Sequence, residues 1–183
     1  MDLIIFAHPD NLGSHNAAIL RHVKARLETE GSKYEVIDLY ADKFDPVLHP
    51  GRKDPLAEKY QKLMSGAKRL IFIYPVWWYN APAIMKGFID KVFTQGFAYS
   101  FKSDPVKGFY IEQLLKGKEA IVINTYGGVK EWLDAHGNAP MFVMDKAALE
   151  FCGISVQARI NWFEARGPAE IPKHITDLID GEV

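Results

Sequence analysis

The sequence predicts an α/β protein with an open parallel sheet of five strands and helices on both faces. Two observations carry that expectation. Continuous apolar runs, such as Leu3–Ala7 and Leu70–Tyr74, suit strands covered on both faces. Between them lie stretches whose apolar residues recur at helical spacing, bounded by Gly and Pro. The chain has 183 residues, 48% hydrophobic and 25% charged, which is enough to bury a core without staples and excludes disorder. Residues 1–183 read as a single domain, with no internal repeat or low-complexity tract.

The elements follow in order. Leu3–Ala7 is the first strand. Ser14 opens a helix carrying Ala17, Ala18, Ile19, Leu20, Val23 and Leu27, and Gly31 ends it. Tyr34–Leu39 alternates and so reads as a strand nearer an edge. Residues 41–54, with Pro46, Pro50 and Gly51, are loop-like. A helix from Leu56 to Ser65 precedes the third strand, Arg69–Tyr74. Pro82 opens the next helix, whose stripe is Ile84, Met85, Phe88, Ile89, Val92 and Phe93. Gly96–Gly117 reads as a long connection, a length usually tied to function. Ala120–Asn124 is the fourth strand, Met141–Phe151 a helix stopped by Gly153, Ile154–Arg159 the fifth strand, and Ile171–Ile179 a closing helix.

Composition excludes several classes. The net charge of -1 lacks the basic excess of a nucleic-acid binder. The longest apolar run, Leu70–Tyr79, is about half a membrane span and Pro75 interrupts it. Met1–Phe6 lacks the basic start of a signal peptide, so the expected address is cytoplasmic, and the lone Cys152 suits a reducing compartment. His15 and His22 lie too far apart on their helix for one ion, and no HExxH occurs, so no metal is expected. Cys152, at a helix end before Gly153, reads as a buried small residue rather than a nucleophile.

In open parallel sheets, ligands bind beyond the carboxyl ends of the strands. The loops after strands one, three and four are chemically unusual. Ala7–Asn16 leads into a helix start that favours an anion, with Ser14, His15 and Asn16 as added donors, although a capped, solvated loop reads equally well. It has neither GxGxxG nor a Walker pattern, and Asp10 should face outward. Tyr74–Pro82 sets Trp77, Trp78 and Tyr79 between two prolines; they either roof the core or meet a flat ligand. Asn124–Gly128 ends in paired glycines that admit close backbone approach or make a plain turn. A phosphorylated, flat, redox-active ring satisfies all three loops together, which points to a flavin.

The run from Tyr74 to Phe93 closely resembles the signature of flavodoxin-like NAD(P)H:quinone oxidoreductases. That group includes mammalian DT-diaphorase, bacterial modulators of drug activity and ancillary subunits of glutathione-gated potassium efflux systems. The resemblance continues through Gly96–Phe101, Ala7-His8 with Ser14 and Asn16, and Thr125–Gly128 with His136-Gly137. It implies a flavodoxin-like three-layer sandwich with strand order 2-1-3-4-5. It implies that His8, Ser14, His15 and Asn16 hold the phosphate and ribityl chain of FAD or FMN. Pro75, Val76, Trp77, Trp78 and Tyr79 would line the isoalloxazine ring, and Thr125, Tyr126, Gly127 and Gly128 its pyrimidine end. Asp90 matches an acid near the adenosine or at a dimer contact. Tyr99 and Phe101, with Trp78, match aromatics of a substrate pocket completed by a second subunit.

His136 matches a proton-handling histidine whose partner tyrosine is absent here. Trp132 is the nearest aromatic, and an indole does not shuttle protons at neutral pH. Tyr126, or backbone N–H groups acting with His136, are left for that part. The implied activity is ping-pong hydride transfer from NAD(P)H through the flavin to a quinone or similar electrophile, in a homodimer. Two alternatives stay open: an ancillary regulatory subunit bound to a potassium-efflux membrane protein, and a flavodoxin-type electron carrier.

Overall fold

The computed structural model describes residues 1–49, 51, 53–106 and 108–183, so Pro50, read as part of a loop, lies outside the described residues. The main sheet contains β1 (Asp2–Phe6), β2 (Tyr34–Asp38), β3 (Arg69–Pro75), β6 (Glu119–Thr125) and β7 (Ser155–Trp162). All neighbours are parallel and the order is β2-β1-β3-β6-β7. Counting only these five strands, that is the expected 2-1-3-4-5.

Alternation along each strand divides the core. Leu3 and Ile5 of β1 join Tyr60, Met64, Met85, Phe88 and Met144 on one face. Ile4 and Phe6 join Ile19, Val23, Leu27, Ile175 and Ile179 on the other. Helices α2 (Pro55–Gly66) and α3 (Ala83–Val92) therefore cover one face, and α1 (His15–Thr29) and α6 (Lys173–Glu182) the other. A side chain such as Ile4, fully buried, contributes roughly 1.5–3 kcal/mol.

Local chemistry sets the ends of the helices. The Ser14 hydroxyl accepts from Ala17 N at 3.1 Å and starts α1. Asp54 Oδ1 accepts from the amides of Leu56 and Ala57, with Pro55 in the first turn of α2. Pro82 caps α3 from outside, so the helix begins at Ala83, one position after the expected start. The closing helix runs two residues later at its start and three later at its end than expected.

Two segments depart from expectation. Gly96–Gly117 is not a plain loop. It holds an antiparallel hairpin of β4 (Tyr99–Asp104) and β5 (Gly108–Gln113), with Phe101 opposite Ile111. Tyr99 packs against the core, but Phe101, Phe109 and Ile111 are exposed, so the alternation had no buried face to reveal it. The Met141–Phe151 helix is also irregular. A short α4 (Lys130–Ala135) and a shorter α5 (Ala139–Met141) lead into π-helical turns over Phe142–Leu149 and a 3₁₀ turn over Glu150–Cys152. Asp145, on the wide turns, reaches Arg159 of β7 with two bonds of 2.8 and 2.6 Å, a buried pairing that accompanies the π geometry. Gly153 then stops the segment at φ 92°, where a Cβ would also crowd Gln113 and Lys116.

Candidate functional site

The carboxyl ends of β1, β3 and β6 bring the three unusual loops together. His8, His15, Asn16, Pro75, Val76, Trp77, Trp78, Thr125, Tyr126 and Gly127 line one open cleft of about 410 Å³. Beside it, Val76, Trp78, Tyr79, Tyr126, Gly127, Gly128, Val129, Trp132 and Leu133 line a second hollow of about 200 Å³. Asn16 Nδ2 donates to Thr125 Oγ1 at 2.8 Å, tying the first loop to the third.

The first loop folds on itself. Asp10 Oδ1 accepts from the amides of Leu12 and Gly13 at 3.1 and 2.7 Å. Those two amides hold the Asp10 carboxyl below its usual range. Asp10 is exposed, yet its carboxylate serves the loop rather than pointing idly to solvent. Ser14 is spent on capping and on donating to Asp10 O at 2.5 Å. His15 Nε2 and Asn16 Oδ1 are buried without a partner among the described residues, on the wall of the cleft. Buried polar atoms of this kind need a partner, and a ligand held in the cleft would supply one.

The second loop is a tight, strained turn. Trp77 and Asn80 exchange backbone bonds of 2.9 and 3.0 Å across Trp78 and Tyr79. Both central residues are left-handed, with φ of 52° and 56°. Such turns favour Asn-Gly, and two bulky aromatics there cost about 1–3 kcal/mol each. The turn leaves Trp78 97% exposed, so the aromatics do not roof the core.

It also carries Tyr79 to His136. The phenol oxygen lies 3.3 Å from His136 Nδ1 and the rings are 4.8 Å apart. His136 Nδ1 also lies 2.6 Å from Trp132 O, a contact that favours the proton on Nδ1. The sequence left Tyr126 as one option for the missing tyrosine's part and gave Tyr79 only a ring-lining place; in the structure it is Tyr79 whose phenol lies beside His136. Tyr126 is instead buried against Phe163, with ring centroids 4.8 Å apart, and burial pushes its phenol up to about 12.

In the third loop neither Gly127 nor Gly128 is left-handed. A Cβ on Gly127 would meet nothing within 4 Å, whereas one on Gly128 would meet the Trp132 ring at 3.2 Å. Gly127 thus opens onto free space and Gly128 makes room for an indole.

Three expected residues lie elsewhere. Asp90, Tyr99 and Phe101 line a separate apolar groove of about 370 Å³ with Ile89, Met144 and Phe151. Asp90 is paired with Lys86 at 2.5 Å. Among the described residues, no three His, Cys, Asp or Glu side chains gather as a metal site, and no helix is long and apolar enough to cross a membrane. Sequence reasoning missed Arg166, which grips Gly127 O, because the loop after the last strand was not weighed with the other three. It ends at the same edge of a parallel sheet, which was signal enough.

The sequence model of the flavodoxin-like fold matches residues 3–179. A ribosyldihydronicotinamide dehydrogenase [quinone] of Pongo abelii is 31% identical over 85% of this chain and 78% of its own length. The chain belongs to the flavodoxin-like NAD(P)H:quinone oxidoreductase family. An NAD(P)H dehydrogenase [quinone] 1 of Cavia porcellus is also 31% identical, over 84% of the chain, which spans 65% of that relative. A solved structure from Streptococcus mutans, Smu.1420, superposes on 99% of the chain and 96% of its own, with a TM-score of 0.80 and 34% identity. Membership of the family accounts for the sheet order and for the cleft's position at the carboxyl edge.

Proposed function

We propose that this chain is a single flavin-binding domain that reduces quinones or similar electrophiles with NAD(P)H. The observation that carries the cofactor is the pair of unpartnered buried atoms, His15 Nε2 and Asn16 Oδ1, in the cleft that also receives the aromatic turn and the open face of Gly127. Relatives named quinone dehydrogenases support the reaction class. These residues fit a flavin, as FAD or FMN. His8, His15 and Asn16 would hold its phosphate and ribityl chain, with Ser14 shaping the loop. Pro75–Tyr79 would flank the ring, and Thr125–Gly128 would meet its pyrimidine end.

Bound flavin would accept a hydride from the nicotinamide and pass it to the acceptor. The protein's part is position and proton control. The strained turn sets Trp78 and Tyr79 beside the cleft and its side hollow, where their rings would orient stacked reactants. Backbone N–H groups of the third loop stabilise negative charge at the ring edge. Tyr79 and His136, 3.3 Å apart, would handle a proton beside that edge. The lone buried thiol Cys152 suits work in the cytoplasm.

We place Asp90, Tyr99 and Phe101 at a contact with a second copy of the chain. Phe101, which lines that groove, and Phe109, stacked on it, are 45% and 71% exposed, an apolar surface that asks for cover. Sedimentation should find a dimer, and a monomer at micromolar concentration would contradict this.

The deciding experiment is an anaerobic NAD(P)H titration of flavin-loaded protein. Bleaching of the visible band, reversed by a quinone, is expected. Failure to bind flavin would overturn the reading, and bound flavin that NAD(P)H leaves oxidised would favour a carrier or a regulatory subunit instead.

A further inference from the structure

After β6 and β7 end, their two chains stay zipped. Tyr126 N donates to Trp162 O at 2.9 Å. The next three carbonyls of the β6 loop then all point back to the segment after β7. Tyr126 O accepts from Ala165 N at 2.9 Å and Gly128 O from Glu164 N at 3.1 Å. Between them, Gly127 O accepts twice from the Arg166 guanidinium, at 2.8 Å from Nε and 2.5 Å from Nη2. In a trans peptide the following N–H points opposite to the carbonyl. The amides of Gly127, Gly128 and Val129 are therefore turned away from residues 164–166, on a loop whose residues line the cleft and its side hollow. None of the three donates to another described residue.

We infer that Arg166 is a positioning residue, which grips the Gly127 carbonyl so that the Gly127 and Gly128 amides face the cleft as fixed donors to a carbonyl-bearing or anionic edge of a heteroaromatic ligand. Arg166 itself touches no ligand in this role. Two charge-assisted bonds on one carbonyl oxygen hold the peptide plane more firmly than one neutral bond does. The left-handed backbone of Glu164, at φ 52°, is the bend that brings its own amide and Arg166 onto the same loop. A loop of two glycines has little stiffness of its own, so the orientation of its amides must come from such outside contacts.

The inference rests on the flavin reading, and the test separates the two. Arg166→Met and Arg166→Lys are compared with the parent chain in two ways: amide NMR signals of Gly127 and Gly128 in the flavin-free protein, and the Kd for FMN by fluorescence. In Arg166→Met the melting temperature should hold, the two glycine signals should shift and broaden, and FMN affinity should fall about tenfold. Arg166→Lys, which keeps one charged donor, should lie between. The midpoint potential of bound flavin should fall in the Met variant, because loosened donors stabilise the reduced, more negative ring less. Unchanged glycine signals with an FMN affinity near the parent's would overturn the inference. So would loss of folding in Arg166→Met, which would make the exposed guanidinium a structural support. If the parent chain binds no FMN, the flavin reading fails, while the glycine signals still report on Arg166.

Discussion

At the amino ends of the strands, Arg69 meets Asp2 with two bonds of 3.0 Å, and Lys118 spans to Ala67 O and Ser65 O at 2.6 and 3.1 Å. At the carboxyl ends, Trp78 and Tyr79 are left-handed, and His15 Nε2 and Asn16 Oδ1 are buried without partners. One end spends its polar groups on the chain itself. The other keeps strain and unpaired polarity, which persist only where something else uses them. Arg26 Nε, unpaired on the C-terminal half of α1, is the exception at the amino end, and its guanidinium still meets Glu30 at 2.5 Å through Nη2. Four of the five non-glycine left-handed residues among those described, Lys43, Trp78, Tyr79 and Glu164, lie in loops directly after the carboxyl ends of strands, and Asn138 follows the short helix Lys130–Ala135. The two ends of the sheet therefore differ in backbone strain and in unpaired polarity.

The largest expected effect is on ligand binding alone. Gly127→Val should weaken flavin affinity at least about 100-fold. Its melting temperature should match the parent's, because the added Cβ meets nothing within 4 Å. Gly128→Val is a poorer probe, since its Cβ would press on Trp132 at 3.2 Å. Arg69→Met acts at the other end. It strands a largely buried Asp2 and should cost about 2 kcal/mol in denaturant unfolding, with flavin affinity unchanged. A loss of flavin binding there would break the comparison.

Much of this division was legible in the sequence. The apolar run Leu3–Ala7 announced a strand buried on both faces, and all of it is. The three aromatics between prolines read either as a roof on the core or as a ligand surface, and Trp78 at 97% exposed is no roof. The hairpin was not legible, because its Phe101 and Phe109 stack on each other at 5.6 Å outside the core. The pairing of Tyr79 with His136 joins residues 57 apart, and nothing local encodes it. The glycine of the Lys86-Gly87-Phe88 stretch is another case. A Cβ there would sit 2.4 Å from Pro46 O, so it is glycine for packing rather than for a ligand.

Smaller effects sharpen the picture. Tyr79→Phe should slow turnover about tenfold while leaving flavin affinity intact. Unchanged turnover would remove Tyr79 from proton handling. Replacing the strained turn by Trp78→Asn with Tyr79→Gly should raise stability by about 1 kcal/mol and impair flavin binding. A less stable double variant would deny that the turn is strained.

The smallest effect concerns alkali. Burial pushes the Cys152 thiol from 9.0 to about 11 and the Tyr126 phenol from 10.0 to about 12. The fold favours both neutral forms. That contribution is complete below pH 9.0 and is lost as pH rises through about 11 and 12. Denaturant midpoints should fall across that window, and Cys152→Ala should flatten its lower part.

The central claim is that the carboxyl end of the sheet is incomplete without a flavin. A crystal structure of the chain with FMN tests it most directly. The account predicts the ring against Trp77–Tyr79 and Gly127, with ligand atoms in hydrogen-bond reach of His15 Nε2 and Asn16 Oδ1. FMN lodged instead in the groove beside Asp90, or those two atoms still unpartnered with FMN bound, would contradict it.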